Sequence, residues 1–189
     1  MKASSSFALQ YKLAENAAEF EQIHLQNYAT FVEEIPQHEP SASRRLVDKF
    51  HDQNTYVICL SGTKLLGMLA LRGERPFSLD QKIADLDSYL PAGSKVLEIR
   101  LLAVKKECRG MLGGRILKGM LAMIKSYGVP RGYDVGIISG TTRQLKLYRH
   151  LGFTPFGSLV GSGQALYQPM YVTLLDFDQA LGRDILPTV

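Results

Sequence analysis

Apolar and polar residues alternate along the 189-residue chain in a way that predicts interleaved strands and helices. Seven stretches of branched or aromatic residues, bounded by glycine, proline or polar residues, are typical of strands. The predicted strands are residues 7–14, 54–60, 64–72, 97–104, 133–138, 154–160 and 168–175. Apolar residues at helical spacing predict four helices. They lie at residues 17–32, around 46–50 with Ser41 or Ser43 as the cap, from the glycine-rich segment to Gly128, and from Thr141 to Leu151. The third of these carries an apolar stripe of Ile116, Leu117, Met120, Leu121 and Ile124. This order indicates a mixed α/β domain.

One short segment between the fourth predicted strand and the long helix carries most of the functional information. Residues 105–114 contain three glycines and three cations, and helical spacing begins directly after them. Glycines at a helix N-terminus leave several backbone N–H groups free to point at one spot, and the helix dipole adds partial positive charge there. The sequence therefore predicts a phosphate-binding turn.

Two common phosphate-binding motifs do not match this turn. The chain has no G-x-x-x-x-G-K-[ST] string, and its glycines lack the G-x-G-x-x-G spacing. The segment RGMLGG at residues 109–114 instead resembles the R-x-x-G-x-G/A pyrophosphate loop of the GNAT acyltransferase superfamily, which binds coenzyme A. Downstream, TTRQLKLYRHLGF at residues 141–153 ends in a string that resembles the L-Y-x-x-L-G-F signature of the same superfamily.

This resemblance implies an α/β fold with a mixed, mostly antiparallel sheet of about seven strands, flanked by about four helices and splayed between strands 4 and 5. It implies a single acyltransferase domain over residues 1–189, with its core at about 7–175. Acetyl-CoA or another acyl-CoA would be the co-substrate, and a primary amine of a small molecule or peptide the acceptor. The residues that would bind the cofactor are Leu102, Ala103, Val104, Arg109, Gly110, Met111, Leu112, Gly113, Gly114, Arg115 and Thr141.

Two of these positions depart from the family pattern. Leu112 stands where the first motif glycine is usual, so a side chain is expected in the turn that would contact the pyrophosphate. Gly113 beside it supplies conformational freedom instead. Thr141 stands near where many members carry an asparagine that contacts pantetheine, and a hydroxyl replaces that group only in part.

Acyl transfer from a thioester to an amine needs a proton acceptor for the amine and a proton for the leaving thiolate. Glu98 is a carboxylate in the most apolar predicted strand, which suits a general base. The alternative is a structural ion pair with Arg100, since residues i and i+2 of a strand share a face. By the resemblance, Tyr148 holds the position of the tyrosine that protonates the coenzyme A thiolate. Its alternative role is packing alone.

Signals for the acceptor site are weaker. Charged and aromatic residues between the third and fourth predicted strands lie where family members shape the acceptor pocket, although a solvated loop explains them equally well. The candidates for acceptor binding are Arg72, Glu74, Phe77, Arg100 and Arg143. An amino acid, a peptide terminus and an aminoglycoside all remain open as acceptors. The four histidines are scattered, and no metal site is predicted.

Two segments also resemble one branch of the superfamily. Residues 98–104, EIRLLAV, look like the E-x-x-R-x-A-V strand of acyl-homoserine-lactone synthases, with the arginine displaced by one. Residues 28–34, YATFVEE, look like the R-x-x-V-F-V-E-E element that these enzymes share with N-acyl amino acid synthases. Such relatives take long acyl chains, often from acyl carrier protein, and a basic surface suits an acidic carrier. Two alternatives to acetyl transfer therefore stay open: a long-chain N-acyl synthase that uses acyl-CoA or acyl carrier protein, and a catalytically inactive acyl-CoA-binding sensor.

Composition narrows the class of protein. Apolar content of 46% and charged content of 21% are ordinary for a globular domain, and the net charge of +4 suits an anionic cofactor. No arginine-rich arm, zinc pattern or aromatic-studded basic sheet indicates a nucleic-acid partner. Two cysteines, the lack of an apolar leader and the lack of a run of about 18 apolar residues predict a soluble cytoplasmic protein with no membrane contact. Either a monomer or a homodimer is compatible with this sequence.

Overall fold

A single mixed sheet organises the chain. The computed structural model describes residues 8–162 and 165–182, so Phe7, where the first predicted strand begins, and the two ends of the predicted domain lie outside the described residues. The described strands are β1 (Leu9–Leu13), β2 (Thr55–Ser61), β3 (Lys64–Arg72), β4 (Val96–Val104), β5 (Val135–Thr141), β6 (Thr154–Pro155), β7 (Val160–Ser162) and β8 (Ala165–Thr173). Their order is β1-β2-β3-β4-β5-β8-β6, with β7 on β8. Within the described residues β4 and β5 run parallel and the other pairs antiparallel. The predicted mixed, mostly antiparallel sheet is confirmed.

Four α-helices flank the sheet in the described residues. They are α1 (Ala17–Tyr28), extended by a π-helical turn (Ala29–Glu34), α2 (Met111–Gly128), α3 (Leu145–His150) and α4 (Leu174–Leu181). Helix α1 begins where the Asn16 side chain accepts a hydrogen bond from the Glu19 N–H, at 3.0 Å. Helix α2 buries the predicted apolar stripe, with Ile116 and Met120 fully enclosed.

The predicted second helix is wrong. Residues 35–50 form irregular structure, followed by a 3₁₀ turn at His51–Gln53. A helix this short has little stability of its own. Tertiary hydrogen bonds decide the conformation instead, because the Asp48 carboxylate accepts from the Phe50 N–H at 3.0 Å and from the Asn54 side chain at 2.9 Å.

The C-terminal elements also differ from the prediction. The predicted strand at residues 154–160 is two short strands, β6 and β7, separated by Gly157 with a φ of 59°. The strand predicted to reach residue 175 ends at Thr173, where the unpredicted helix α4 begins. Thr173 and Asp176 bond reciprocally across the helix start, the Asp176 N–H donating to Thr173 Oγ1 at 3.2 Å and that hydroxyl donating to Asp176 Oδ2 at 2.7 Å.

Side chains from the two faces of the sheet form separate cores. The face under α2 and α4 packs Leu97, Ile99 and Met170 with the helices. The opposite face packs α1 against β2 and β3 through Ile23. A third cluster, which includes Phe77, Leu79 and Phe156, lies under the loop between β3 and β4. Side chains alternate along β4, so Glu98 points to the face opposite Leu97 and Ile99.

Strands β4 and β5 separate soon after they meet. Their pairing covers three positions, Val96 with Val135, Leu97 with Gly136, and Glu98 with Ile137. Beyond Glu98 the six remaining residues of β4 have no partner in β5. The predicted splay between the fourth and fifth strands is therefore confirmed. We call this opening the β4–β5 gap.

Candidate acyltransferase site

The β4 edge of the β4–β5 gap is shaped by a bulge. Met68 and Ala70 of β3 are two residues apart, but their partners in β4, Ala103 and Arg100, are three residues apart. Leu101, inside this bulge, has a φ of 54°. This left-handed conformation is unusual for leucine. It turns the backbone at the point where the gap opens. The predicted pantetheine-binding residues, Leu102, Ala103 and Val104, form the β4 edge that follows.

The predicted phosphate turn ends as an uncapped helix N-terminus beside that edge. Gly110 precedes α2 with a φ of 96°, and its carbonyl accepts from the Gly114 N–H at 3.1 Å. The N–H groups of residues 111–113 precede that first intrahelical bond, and no side chain caps them. Leu112 is half-buried and packs against the core under α2, whereas Met111 is 84% exposed. The leucine side chain therefore turns away from the mouth of the turn.

An ion pair crosses the entrance to this turn. The Arg109 guanidinium donates to both carboxylate oxygens of Glu34, Nη1 to Oε1 at 2.5 Å and Nη2 to Oε2 at 2.8 Å, and its Nε donates to the Val104 carbonyl at 3.1 Å. These hydrogen bonds, helped by the charges of Lys106 and Arg143, hold the pKa of Glu34 below its usual value. Arg143, a predicted acceptor residue, lies in the 3₁₀ turn Thr142–Gln144 that follows β5.

Glu98 lies at the base of the gap and is 1% exposed. Its carboxylate accepts from the Ser78 N–H at 2.9 Å, the Ser78 hydroxyl at 2.5 Å and the Leu79 N–H at 3.3 Å. The Arg100 Nε lies 3.5 Å from Oε2, so the ion pair weighed from the sequence is present. Both carboxylate oxygens are engaged, and Glu98 fixes the loop between β3 and β4 to the sheet.

Two buried guanidinium groups surround Phe50 on this face. Arg100 makes a two-pronged ion pair with Asp48, at 2.7 and 3.1 Å. Arg72, 1% exposed, donates to the Pro76 carbonyl at 2.8 Å, and its guanidinium lies 4.0 Å from the centre of the Phe50 ring. The Arg100 guanidinium lies 4.8 Å from the same centre. No local pattern in the sequence indicates Asp48, which holds Arg100 from 52 positions away.

Tyr148 lies across the gap from Glu98, on the opposite face of the sheet. Its ring packs on β5, where a Cβ added to Gly140 would come within 2.7 Å of the ring atom Cδ2. Burial, with Tyr167 nearby, raises the pKa of Tyr148 to about 12. The phenol therefore stays protonated at neutral pH. Thr141 ends β5 beside it.

The family model described as acetyltransferase (GNAT) family matches residues 18–153, which include the β4–β5 gap, the phosphate turn and Tyr148. The chain belongs to the GNAT family. It is an N-acyltransferase of that family. No curated protein matches the sequence.

Solved structures of acyl-homoserine lactone synthases and of an N-acyl amino acid synthase share the fold at low sequence identity. The acyl-homoserine lactone synthase LasI matches with a TM-score of 0.76 and 13% identity over 96% of this chain and 98% of that one. FeeM, an N-acyl amino acid synthase from uncultured soil microbes, gives 0.73 and 17% over 92% and 94%. The CoA-dependent acyl-homoserine lactone synthase BjaI, with SAM and isopentyl-CoA, gives 0.70 and 20% over 90% and 83%.

Two further residues on the Glu98 face of this GNAT chain, Lys82 and Tyr167, were not predicted from the sequence. The Lys82 ammonium lies 5.5 Å from the centre of the Tyr167 ring. The Tyr167 hydroxyl is buried and has no hydrogen-bond partner among the described residues. Burial lowers the pKa of Lys82; the charge of Glu98 opposes this effect, and those of Arg100 and Lys49 add to it. The residues around Lys82 form a polar loop, and no local pattern there predicts that its side chain lies against Tyr167.

Two of the predicted acceptor residues line a separate cavity. Glu74 and Phe77 border an open cavity of about 710 Å³ between the end of β3 and the start of β4. Among the described residues, no group of three or more side chains suited to metal binding is found. The helices in the described ranges are all too short or too polar to cross a membrane.

Proposed function

We propose that this GNAT protein transfers an acyl group, with acetyl as the first candidate, from coenzyme A to a primary amine. The observation that carries the proposal is the β4–β5 gap, which opens beside the uncapped N-terminus of α2. The backbone groups of residues 111–113 suit the pyrophosphate. The unpaired edge of β4 from Leu102 to Val104 suits the amide groups of pantetheine, since these bond as another strand would.

The chemistry forms one bond and breaks another. The neutral amine attacks the thioester carbonyl carbon, an amide forms, and the carbon–sulfur bond breaks. Tyr148 protonates the leaving thiolate, and its raised pKa keeps the phenolic proton available until that thiolate forms. The proton that the acceptor amine loses then restores the phenol by way of solvent.

Glu98 has two candidate roles, general base and positioning residue. Three hydrogen bonds to its oxygens support positioning, because they tie the carboxylate to the loop between β3 and β4. In Glu98→Gln, a positioning role predicts a higher KM for the amine with the pH profile of kcat/KM unchanged. A base role predicts that the acid limb of this profile disappears.

Thiol release in the presence of an amine library tests the proposed function. Acetyl-CoA should release coenzyme A with some amine, and Tyr148→Phe should lower kcat by roughly 10²-fold or more, the usual contribution of a positioned acid. Tyr127→Phe is the matched control, because Tyr127 lies on α2 and its hydroxyl contacts Thr55, 3.3 Å away. Binding of acyl-CoA without turnover of any amine would instead support the sensor alternative.

A long-chain donor is the second candidate. It is favoured by the likeness in fold to LasI and FeeM, and by the Glu34–Arg109 pair, which neutralises the arginine of the phosphate turn. A donor without a nucleotide, such as acyl carrier protein, would not need that arginine. A series of acyl-CoA donors from two to twelve carbons, run beside acyl carrier proteins of the same lengths, separates the two donor classes by kcat/KM.

A further inference from the structure

The Glu98 face of the gap carries more positive than negative charge. Its two carboxylates, the half-buried Asp48 and the buried Glu98, are already engaged by Arg100 and by loop hydrogen bonds. Arg72, fully buried, donates to the neutral oxygens of Pro76 and Gln53. The carboxylates of this face are therefore already paired, and none of them needs a lysine at the rim as its partner.

Two lysines at this rim add charge that no described carboxylate balances. The Lys49 ammonium bonds to the Gln81 side-chain oxygen and lies 4.8 Å from the Phe50 ring centre. Lys82 follows Gln81 in the chain, and within the described residues neither lysine makes an ion pair. Lys49 contacts Gln81, the residue before Lys82, so both positive charges lie on one rim, and this arrangement suits an anion.

Lys82 also connects the two sides of the gap. Its N–H donates to the Leu79 carbonyl at 2.9 Å, in the loop that Glu98 of β4 holds, while its ammonium lies 5.5 Å from the ring centre of Tyr167 on β8, the strand beside β5. The ammonium is thus held over β8 by a loop that is fixed to β4, at the rim of the opening where the proposed function places the thioester. The unpartnered Tyr167 hydroxyl adds a second hydrogen-bond donor there.

We infer that Lys82, with Lys49, binds a carboxylate carried close to the reacting amine, so that the acceptor is an amino acid. This inference rests on the proposed function, and it assigns Lys82 as the specificity-determining residue of the acceptor site. Polyamines and aminoglycosides are excluded by the same charges, because several ammonium groups would meet the lysines and arginines of this face. A carboxylate held by an ammonium forms one of the stronger hydrogen bonds in proteins.

The test compares amino acids with their decarboxylated amines, for example L-phenylalanine with 2-phenylethylamine and L-leucine with 3-methylbutylamine. For each pair, thiol release gives the ratio of kcat/KM between amino acid and amine at a fixed pH. The wild type should favour the amino acid of at least one pair, and Lys82→Met should lower that ratio by roughly 10- to 100-fold, the size expected for one charged hydrogen bond. Lys82→Arg should retain most of the preference.

Lys64→Met is the matched control, since it removes the same charge from an exposed residue at the other end of β3. Its ratio should equal that of the wild type. A wild type that uses the amines as well as the amino acids, or a Lys82→Met variant that keeps the ratio, overturns the inference alone. Absence of thiol release with every amine overturns the proposed function, and the inference with it.

Discussion

The ion pair between Asp48 and Arg100 gives the sharpest test of how the Glu98 face is held together. Their side chains are 9% and 12% exposed, and the Asp48 carboxylate accepts two hydrogen bonds from Arg100 and one each from Asn54 and the Phe50 N–H. Asp48→Asn removes the charge and keeps the shape. Removing one partner of a buried pair costs about 3–5 kcal/mol, because the other charge stays buried and unpaired. We expect the lower end, about 3 kcal/mol, since Glu98 lies 3.5 Å from Arg100 and compensates in part.

Urea unfolding followed by circular dichroism measures this free energy, and in thermal unfolding the same loss corresponds to roughly 6–12 °C in Tm. Glu21→Gln is the control, because its ion pair with Arg45 is 41% and 46% exposed and should contribute less than about 1 kcal/mol. Replacing both partners, as Asp48→Leu with Arg100→Met, should recover most of the loss, since no buried charge is then left alone. Equal losses in Asp48→Asn and Glu21→Gln would refute the reasoning.

The pH dependence of this pair has a definite sign. Burial raises the pKa of Asp48, but the hydrogen bonds and charge of Arg100 outweigh burial and leave it lowered. The pair therefore contributes its full stability above the unfolded value of about 3.9, and loses it as the pH falls through the lower folded value. The difference between wild type and Asp48→Asn should shrink in that acidic range.

Three further predictions concern the gap, a buried histidine and the phosphate turn. In Gly140→Ala the Tyr148 ring must move by about 0.7 Å to restore ordinary contact, so kcat should fall by roughly 10- to 100-fold while acyl-CoA still binds. Burial lowers the pKa of His24, so the wild type loses stability as the pH falls below about 6.5 toward the pKa of the folded state. In His24→Phe, the free energy of unfolding in urea should therefore differ less between pH 5 and pH 8 than it does in the wild type. Glu34→Gln releases Arg109, and calorimetry at low salt should show coenzyme A bound several-fold more tightly.

Each of these variants has a matched control. Gly182→Ala adds a methyl group that meets only ordinary contacts, and it should leave kcat unchanged. His150→Phe changes an exposed histidine and should keep the wild-type acid dependence. Glu33→Gln removes the neighbouring carboxylate, which pairs with Arg44 instead of Arg109, and should not tighten coenzyme A binding. A control that behaves like its partner variant contradicts the corresponding prediction.

Local patterns in the sequence predicted the parts of the site that local forces determine. The apolar run of β4, the glycines of residues 110–114 and the stripe on α2 each reflect interactions within a few residues, and all three lie where they were expected. The same local reasoning failed at residues 46–50. There the conformation is set by hydrogen bonds to Asp48 from outside the segment, including those from Arg100.

Ion pairs and packing between residues far apart in the chain leave no local pattern in the sequence. Glu34 and Arg109 are 75 positions apart, and Lys82 reaches its neighbours from a polar loop without regular spacing. Helix α4 does have a local signal: Thr173 and Asp176 have the S/T-x-x-D spacing that starts a helix, and α4 begins there. The apolar residues around it suggested a continuing strand.

The brief contact between β4 and β5 has a consequence for how such enzymes diverge. Under the proposed function, peptide groups would hold a cofactor in the opening, and every residue possesses them, so the side chains along that edge could change without loss of cofactor binding. Substitution at those positions would then alter which acceptors bind and leave the contacts to the cofactor in place. This freedom agrees with an architecture kept at TM-scores of 0.70 to 0.76 while only 13–20% of residues are shared.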